Sequence, residues 1–377
     1  MSNLTYRNIR PTDRESLTEL YREHYWRPHC VLMNPSLYRW QLEQPPESRR
    51  KGGDQSIVAV DKLGRVVAAL SLFPMSVWNH GTERTGVHLI SCLNHPEVRG
   101  QGVGSTIVAM MCDRYAFRMG RSLSPASQSV YAKFDFRYLQ HSQRWLAILD
   151  ADRAAPLVIE PHAQTTKRLK ARQVQRVSPR HYQVSNRPPT GAGSLTWKVL
   201  RSATTFARTP EYLVWRYTQH PIHTYRFITL GQAFQPEGMA VVRCEQVTGR
   251  PGQVLRILEY IAEPEHQVAL AHALFDYGRE QGCCYADFFG MSEKFVAGFI
   301  AAGGFHWQEE LIRLPHLLQP WDEHDSPPGW LFSSPRDPLT GIAATDDMSN
   351  YYVTRGDGNM DWPSWAMMQA PADTRAA

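Results

Sequence analysis

Residues 88–112 decide the fold, and they read HLISCLNHPEVRGQGVGSTIVAMMC. The first seven residues are mostly apolar and predict a strand, and the last eight carry apolar side chains at helical spacing. Three glycines, Gly100, Gly102 and Gly104, lie between them. Glycine lets backbone N–H groups converge and lets an anion approach without a Cβ in its way, and a helix start adds a favourable dipole. The stretch therefore predicts a strand, a phosphate-binding loop and a helix.

Two common nucleotide-binding fingerprints do not fit this loop. The P-loop pattern GxxxxGK[ST] is absent, and GxGxxG lacks its third glycine because Ser105 and Ile107 stand where that glycine is needed. The pattern PxxRGxGxG after a strand instead resembles the acyl-CoA pyrophosphate loop of the GNAT superfamily of N-acyltransferases. An ordinary glycine-rich turn without a ligand is the alternative. The resemblance implies that the loop residues bind acyl-CoA, namely Val98, Arg99, Gly100, Gln101, Gly102, Val103, Gly104 and Ser105.

The same resemblance implies roles for other residues of the first half. In the family this strand splays from its neighbour, and its end holds the pantetheine arm and the acyl carbonyl, which implies that role for Cys92, Leu93 and Asn94. Residues 129–136 resemble the helix that often carries a tyrosine general acid, so Tyr131 is the candidate that protonates the leaving thiolate. Asp135 stands where the family commonly has glycine, so we expect a turn of different shape there.

His88 is the candidate general base. Counting back along the strand by twos from Asn94 places His88 on the same face, where several members of the family carry a carboxylate base. A neutral imidazole there would take the proton of an amine, since histidine titrates near physiological pH. A structural histidine on a half-buried strand is the alternative reading.

The chain also contains an internal repeat. Residues 34–46 read NPSLYRWQLEQPP and residues 209–221 read TPEYLVWRYTQHP, so that Pro, Trp, Gln and Pro coincide at an offset of 175 residues. A predicted β-hairpin follows each copy, and a strand, a helix, a second strand and a short helix come later in each half. Both halves therefore resemble one α/β module used twice, with chance similarity as the alternative. Trp40 and Trp215 are predicted to be core anchors, because tryptophan buries a large apolar area.

We therefore expect an α/β fold of the α+β type with mixed sheets, built from tandem GNAT domains. Each domain is expected to be a mostly antiparallel sheet that splays at the acyl-CoA strand and is flanked by helices. The expected divisions are an N-terminal GNAT domain at 1–150 with the acyl-CoA site, a basic Pro/Gly linker at 151–194, a degenerate GNAT-like domain at 195–315 that shapes the acceptor site, and an irregular extension at 316–377.

The second half is expected to lack an acyl-CoA site of its own. Its strand-to-helix junction at 261–270 has no glycine, and Glu259, Glu263 and Glu265 lie around it. Three carboxylates would repel a pyrophosphate. Phe299 also falls near the position that Tyr131 holds in the first half, which removes the hydroxyl group.

Composition excludes several classes of protein. The chain has 377 residues, of which 42% are hydrophobic and 20% charged, as expected for a folded protein of about two domains. No apolar run is long enough for a membrane span and no apolar signal core follows the start, so we expect a cytoplasmic protein. The net charge of +5 is too small for the basic face of a nucleic-acid binder. Six cysteines without CxxC spacing give no reason to expect a metal site.

Two further segments bear on the acceptor. WRYTQHP at 215–221 and YYVTRGDG at 351–358 resemble GNAT enzymes of surface-polysaccharide biosynthesis, which acylate nucleotide-linked deoxyamino sugars. The resemblance implies that an acyl group passes from acetyl-CoA or a longer acyl-CoA to the amino group of such a sugar, by direct attack in a ternary complex, in a monomer or a dimer. The alternatives are another small amine (an antibiotic, amino acid or peptide), a Fem-type aminoacyl transfer, and a non-catalytic CoA-sensing module.

Overall fold

Two mixed sheets flanked by helices form the molecule, so the expected α/β fold class is confirmed. In this computed structural model the described residues are 4–25, 34–121, 125–139, 143–308, 312–319, 329–334, 348–358 and 361. Most of the expected extension at 316–377 lies outside the described residues, as does Cys30.

Most strands are short, and the long ones form one central hairpin in each sheet. The strands are β1 (Thr5–Asn8), β2 (Ile57–Val60), β3 (Val66–Asn79), β4 (Thr82–Asn94), β5 (Phe117–Arg121), β6 (Arg137–Leu139), β7 (Arg144–Ile148), β8 (Tyr182–Ser185), β9 (Thr205–Phe206), β10 (Arg226–Gln232), β11 (Gln235–Gln246), β12 (Gln253–Ala262), β13 (Cys283–Phe289), β14 (Phe305–His306) and β15 (Trp330–Ser333). The central hairpin is β3–β4 in the first sheet and β11–β12 in the second.

The helices pack on the sheets and connect their strands. The α-helices are α1 (Arg14–His24), α2 (Pro35–Tyr38), α3 (Pro46–Arg50), α4 (Val103–Arg114), α5 (Pro125–Ala132), α6 (Ala151–Ala154), α7 (Thr165–Arg172), α8 (Ala192–Leu200), α9 (Pro210–Leu213), α10 (Gln267–Glu280) and α11 (Glu293–Ala301). Single 3-10 turns are Pro11–Asp13, Pro96–Val98, Ala155–Leu157 and Pro264–His266, and π-turns are Arg39–Glu43 and Val214–Thr218. None of the described helices is long and apolar enough to span a bilayer.

Both sheets follow the same strand pattern. The first sheet has the order β1-β2-β3-β4-β5-β15-β6, and β9 also pairs with β3. The second sheet has the order β14-β7-β13-β12-β11-β10-β8. Within the described part of the chain, the pairs β4–β5 and β12–β13 are parallel and the other strand pairs are antiparallel. Each sheet is therefore mostly antiparallel with one parallel pair at its centre.

The two halves exchange one strand each. Strand β7 leaves the first half and lies between β13 and β14 of the second sheet, whereas β15 comes from the far end of the chain and lies between β5 and β6 of the first. The expected division at residue 150 therefore does not separate the sheets. The expected linker at 151–194 also differs from the structure, because it contains α6 and α7, the edge strand β8 and the start of α8.

The two copies of the repeated motif contact each other between the sheets. Each copy is one helical turn followed by a π-turn, α2 with Arg39–Glu43 and α9 with Val214–Thr218. The Nε1 of Trp40 donates to the carbonyl of Trp215 at 2.9 Å, and Trp215 returns the same bond to Trp40 at 2.8 Å. Their rings stack with centroids 5.3 Å apart, and both residues are buried. The prediction that both tryptophans anchor a core is confirmed, and this core joins the halves.

Candidate active site

Strands β4 and β5 separate near the middle of β4. Their register ends at the pair Leu89 and Gly120, so residues 91–94 pair with β3 alone. A β-bulge lies at Ile90, because Ser71 pairs with Ser91 whereas the next residue of β3 pairs with Leu89. Residues 91–94 are partly exposed. The bulge and the missing neighbour leave free backbone groups on one edge of β4, which suits an extended ligand arm.

A loop with two left-handed glycines follows β4. Gly100 has φ +77° and Gly102 has φ +81°, and a Cβ at either position would meet no atom within 4 Å. Gly102 is the residue before α4, a helix of 12 residues. The first N–H groups of a helix have no acceptor within the helix. These exposed donors and the helix dipole fit a pyrophosphate, so the loop has the properties needed to hold acyl-CoA.

Other loop residues hold this shape. The Arg99 side chain donates to the carbonyl of Asn94 at 3.1 Å, and Gln101 donates to the carbonyl of Glu97 at 2.6 Å. A Cβ at Gly104 would lie 2.8 Å from the side-chain amide nitrogen of Asn94, so glycine allows close packing there and a positive φ is not involved. The side chains of Val98, Val103 and Ser105 differ in place: both valines are buried in the core beneath the loop, and Ser105 is half-buried.

Tyr131 reaches β4 from helix α5. Its hydroxyl lies beside the Cys92 thiol, and its ring meets Phe136 edge-on with centroids 5.2 Å apart. Burial, followed by the neighbouring Cys92, raises the pKa of Tyr131 well above its usual value. Burial also raises the pKa of Cys92 to about 11. Both groups therefore carry their protons at neutral pH. The structure places the Tyr131 hydroxyl near the end of β4, beside Cys92.

The turn after α5 retains the backbone shape that glycine favours. Asp135 has φ +56°, in the left-handed region. Asp135 therefore adopts a conformation that is costly for a residue with a Cβ, at the position where the resemblance leads us to expect glycine.

His88 does not share a face with Asn94, and the count by twos fails because of the bulge at Ile90. The His88 ring stacks on Phe73 with centroids 5.2 Å apart, in the core between the sheets, whereas Asn94 contacts helix α4 on the opposite face. His88 is fully buried, and burial lowers its pKa to about 3. A Cβ at Gly358 would overlap the ring, so the C-terminal segment covers it. This environment favours the structural reading of His88.

The second half has the same strand pattern but a closed junction. A bulge lies at Leu258, and the β12–β13 register ends one residue before it. The turn Pro264–His266 leads directly into α10, without a glycine loop. Residues 259–262 are all buried. The hydroxyl of Tyr260 donates to the carbonyl of Gln267, and the side chain of Gln267 accepts the N–H of Gly298 at 3.0 Å, so α10 and α11 close over the strand end.

Phe299 packs against this closed strand end. Its ring lies 6.2 Å from that of Tyr260, centroid to centroid. Tyr260 follows the bulge of β12 by the same two residues as Cys92 follows the bulge of β4. The thiol and tyrosine pair of the first half is thus replaced by two aromatic rings in the second.

A buried charged network links the second half to the C-terminal segment 351–358, and sequence reasoning missed it. Glu259 accepts hydrogen bonds from Tyr217 at 2.6 Å, from Tyr352 at 2.8 Å and from Arg208 at 3.1 Å. Arg208 also donates to Asp357 at 2.6 Å. The available signal is Glu259 itself, a charged residue inside the otherwise apolar end of β12. Because a charged group is buried only when it is paired, such a residue predicts a partner.

The segment at 351–358 is part of this network. Arg216 donates to the carbonyls of Gly356 at 2.7 Å and Gly358 at 3.0 Å. A Cβ at Gly356 would overlap the hydroxyl of Tyr217. The segments 215–221 and 351–358 therefore bind each other. In the part of the chain that the structure describes, no group of three or more His, Cys, Asp or Glu side chains is placed to hold a metal ion.

Comparison with known proteins agrees with this geometry. Residues 15–136 match the model of the acetyltransferase (GNAT) family, which covers β2 to β5, the glycine loop and Tyr131. No curated protein matches the chain.

Three solved structures show the same fold. A GCN5-related N-acetyltransferase from Anabaena variabilis is 12% identical with a TM-score of 0.56, and the match covers 87% of this chain and 72% of that one. One from Kribbella flavida is 14% identical with a TM-score of 0.52, covering 88% and 72%. A probable N-acyltransferase from Enterococcus faecalis is 11% identical with a TM-score of 0.50, covering 76% and 65%.

Proposed function

Because the chain is an enzyme with a GNAT acetyltransferase domain at residues 15–136, we propose that it transfers an acyl group from acyl-CoA to the amino group of a nucleotide-linked amino sugar. The reaction is a direct attack of the amine on the thioester in a ternary complex. The acyl-CoA site lies in the first half, and the second half has no such site.

The contrast between the two strand junctions carries this proposal. The end of β4 is partly exposed and is followed by a loop with two left-handed glycines. The end of β12 is buried beneath α10 and α11 and is followed by a helix without such a loop. One fold is thus present twice, and among the described residues the first copy has the partly exposed strand end and the glycine loop that would suit a CoA thioester.

The residues of the first half divide the work. Backbone N–H groups at Gly100 and at residues 102–105 hold the pyrophosphate, because those of Val98, Arg99 and Gln101 donate to carbonyls within the turn. The backbone of Cys92, Leu93 and Asn94 holds the pantetheine arm and the acyl carbonyl. Acyl-CoA supplies the activated carbonyl and a thiolate leaving group. Tyr131 keeps its proton at neutral pH because burial raises its pKa, and it gives this proton to the leaving sulfur.

The base role of His88 is the weaker of its two readings. An imidazole with a pKa near 3 takes a proton poorly at neutral pH, and Phe73 and Gly358 cover both sides of the ring. We propose that His88 is structural. A His88→Gln variant with an unchanged pH–rate profile supports this reading, and loss of the lower limb of the profile contradicts it.

A thiol-release assay tests the proposal. The full chain is mixed with acetyl-CoA or longer acyl-CoAs and with a panel of nucleotide-linked amino sugars and simple amines. Thiol release with an amino-sugar nucleotide supports the proposed acceptor. Release with another small amine alone, transfer from an aminoacyl donor, or CoA binding without turnover would each replace it by the corresponding alternative.

A control separates the two halves. Glu263 and Glu265 lie at the junction of the second half, where Glu263 pairs with Lys198 at 2.5 Å. We expect the double change to alanine to leave CoA affinity unaltered. A large loss of affinity would show that the second half takes part in CoA binding.

A further inference from the structure

Ser91 marks the point where β4 leaves β5. The residues before it, from Val87 to Ile90, are buried, whereas Ser91 is partly exposed. Its Oγ lies 2.8 Å from the hydroxyl of Tyr21, which reaches it from helix α1 and is 1% exposed. A buried tyrosine therefore fixes the serine hydroxyl, while Ser91 itself remains at the opening.

Ser91 and Cys92 address opposite faces of β4. Cys92 packs with the cluster beneath α4, and its thiol lies beside the hydroxyl of Tyr131 of α5. Ser91 meets α1, which packs in the core on the other face. Neighbouring residues of a strand point to opposite sides. A thioester in the opening would therefore have Tyr131 on one side, toward its sulfur, and the Ser91–Tyr21 pair on the other, from which an amine would come.

Among the described residues, the strongest influences on the Ser91–Tyr21 pair come from neutral groups. Burial raises the pKa of Tyr21, and the next largest influences on it come from Ser91, Cys92, Ser71 and Tyr25, none of which is charged. His88 lies on the same face; it is covered, and burial followed by the charges of Arg121 and Arg216 keeps it neutral by lowering its pKa. The residue of the second half that corresponds to Ser91 is charged. It is Glu259, the first residue after the bulge of β12, as Ser91 is the first residue after the bulge of β4.

We propose, on the basis of the acyl transfer proposed above, that Ser91 accepts a hydrogen bond from the acceptor's amino group and that Tyr21 positions Ser91, so that the amine reacts in its neutral form. The selected acceptors are then weakly basic amines. The shared chemistry is an amino group beside electron-withdrawing oxygen or carbonyl groups, as in an amino sugar or an α-amino compound.

The proton balance explains why basicity selects the acceptor. The C–N bond forms as the C–S bond breaks, Tyr131 gives its proton to sulfur and regains one from water, and the proton lost by nitrogen goes to water. No carboxylate is required if the amine arrives unprotonated. At pH 7.5 an α-amino group is about one third neutral, whereas a lysine-like ε-amino group is neutral in about one molecule in a thousand.

The experiment uses the full chain, acetyl-CoA and three amines: an amino-sugar nucleotide, an α-amino amide and Nα-acetyl-lysine. Variants are Ser91→Ala, Ser91→Thr and Tyr21→Phe, and Tyr182→Phe is the control because its hydroxyl bonds only surface carboxylates of the second half among its described contacts. Loss of one hydrogen bond predicts an amine KM about 3- to 10-fold higher for Ser91→Ala. We expect the acyl-CoA KM to stay unchanged and Ser91→Thr to restore the amine KM.

The pH dependence gives a second readout. For the best amine, kcat/KM should rise about tenfold per pH unit up to the pKa of that amine and then level off, in the wild type and in Tyr21→Phe alike. Comparison of kcat/KM for the amino-sugar nucleotide and for the α-amino amide shows which class of weakly basic amine is the acceptor.

Three results would overturn the proposal. They are an unchanged amine KM in Ser91→Ala, equal use of Nα-acetyl-lysine and the weakly basic amines at pH 7.5, and a limb of the pH profile that does not move with the amine. Absence of thiol release with every amine would overturn the proposed function first, and the Ser91 proposal with it.

Discussion

The hydroxyl of Tyr131 is the best-defined chemical group at the opening of β4. It lies beside the Cys92 thiol, and the Phe136 ring packs edge-on against the tyrosine ring. We expect Tyr131→Phe to lower kcat about 100-fold, in the lower range for loss of a general acid, and to leave CoA affinity within about twofold. Thiol-release kinetics and calorimetric CoA titration measure the two quantities, with Tyr138→Phe on β6 as the control. Equal losses in turnover and affinity would contradict the acid role.

The candidate site shows which residues the sequence predicts and which it does not. Cys92, the glycine loop and Tyr131 lie on β4, on the loop after it and on helix α5, all within about 50 residues of sequence. That they lie close together in the structure therefore follows from the local pattern of elements. The face of His88 does not, because one extra residue at Ile90 reverses the alternation and an apolar run carries no sign of such a bulge. Tyr21 is separated from Ser91 by 70 residues, and only tertiary packing joins them.

At the scale of elements, the glycine loop allows a matched test. Gly102 and Gly64 have φ values of +81° and +82°, and a Cβ at either position would meet no neighbour within 4 Å. Alanine should therefore cost about 1–2 kcal/mol of stability at either position, because the left-handed conformation is unfavourable for a residue with a Cβ. We expect CoA affinity to fall in Gly102→Ala alone, measured by titration alongside urea unfolding. Equal CoA affinity in both variants would exclude the loop from the binding site.

The elements of each half are largely predictable, and their partners are not. The repeat at an offset of 175 residues predicts one module used twice with Trp40 and Trp215 as core anchors, but not that the two tryptophans contact each other. The strand Arg144–Ile148 reads as a short apolar strand wherever it pairs, so nothing local tells that it belongs to the second sheet. Which strands pair over such sequence separations depends on the whole chain. The alternation of side chains along a strand does not identify its partner.

For the whole molecule, the paired tryptophans are the central contact between the halves. We expect Trp40→Ala to destabilise the protein by about 3–5 kcal/mol, since the change opens a cavity and leaves the carbonyl of Trp215 without its donor. Trp197→Ala is the control, because Trp197 is 40% exposed. Urea unfolding measures both, and similar effects of the two changes would argue against the central role.

Buried histidines predict that acid destabilises the fold. Burial lowers the pKa of His88 to about 3 and of His223 to about 4, and it lowers those of His220 and His316 well below the usual value. Unfolded imidazoles titrate near 6.5, so below that pH the unfolded chain takes protons that the folded chain refuses. Stability is therefore complete above pH 6.5 and falls as the pH decreases toward the folded values.

The measurement compares unfolding free energies at pH 7.5 and 5.5. Each of these histidines should contribute about 1.4 kcal/mol to the difference. Burial raises the pKa of Asp54 and of Glu259, which acts in the opposite direction. The informative quantity is therefore the change in the difference for His88→Gln, expected to be smaller by one histidine's share. An identical difference in wild type and variant would contradict the assignment.

The strand exchange makes the order of synthesis matter. When β5 and β6 have left the ribosome, the strand that belongs between them, β15, is still some 190 residues from being made. During that interval β5 offers an unpaired edge, to which any other nascent copy offers a matching strand. The contact that completes the first sheet is thus among the last to form, because β15 must first reach β5 and β6.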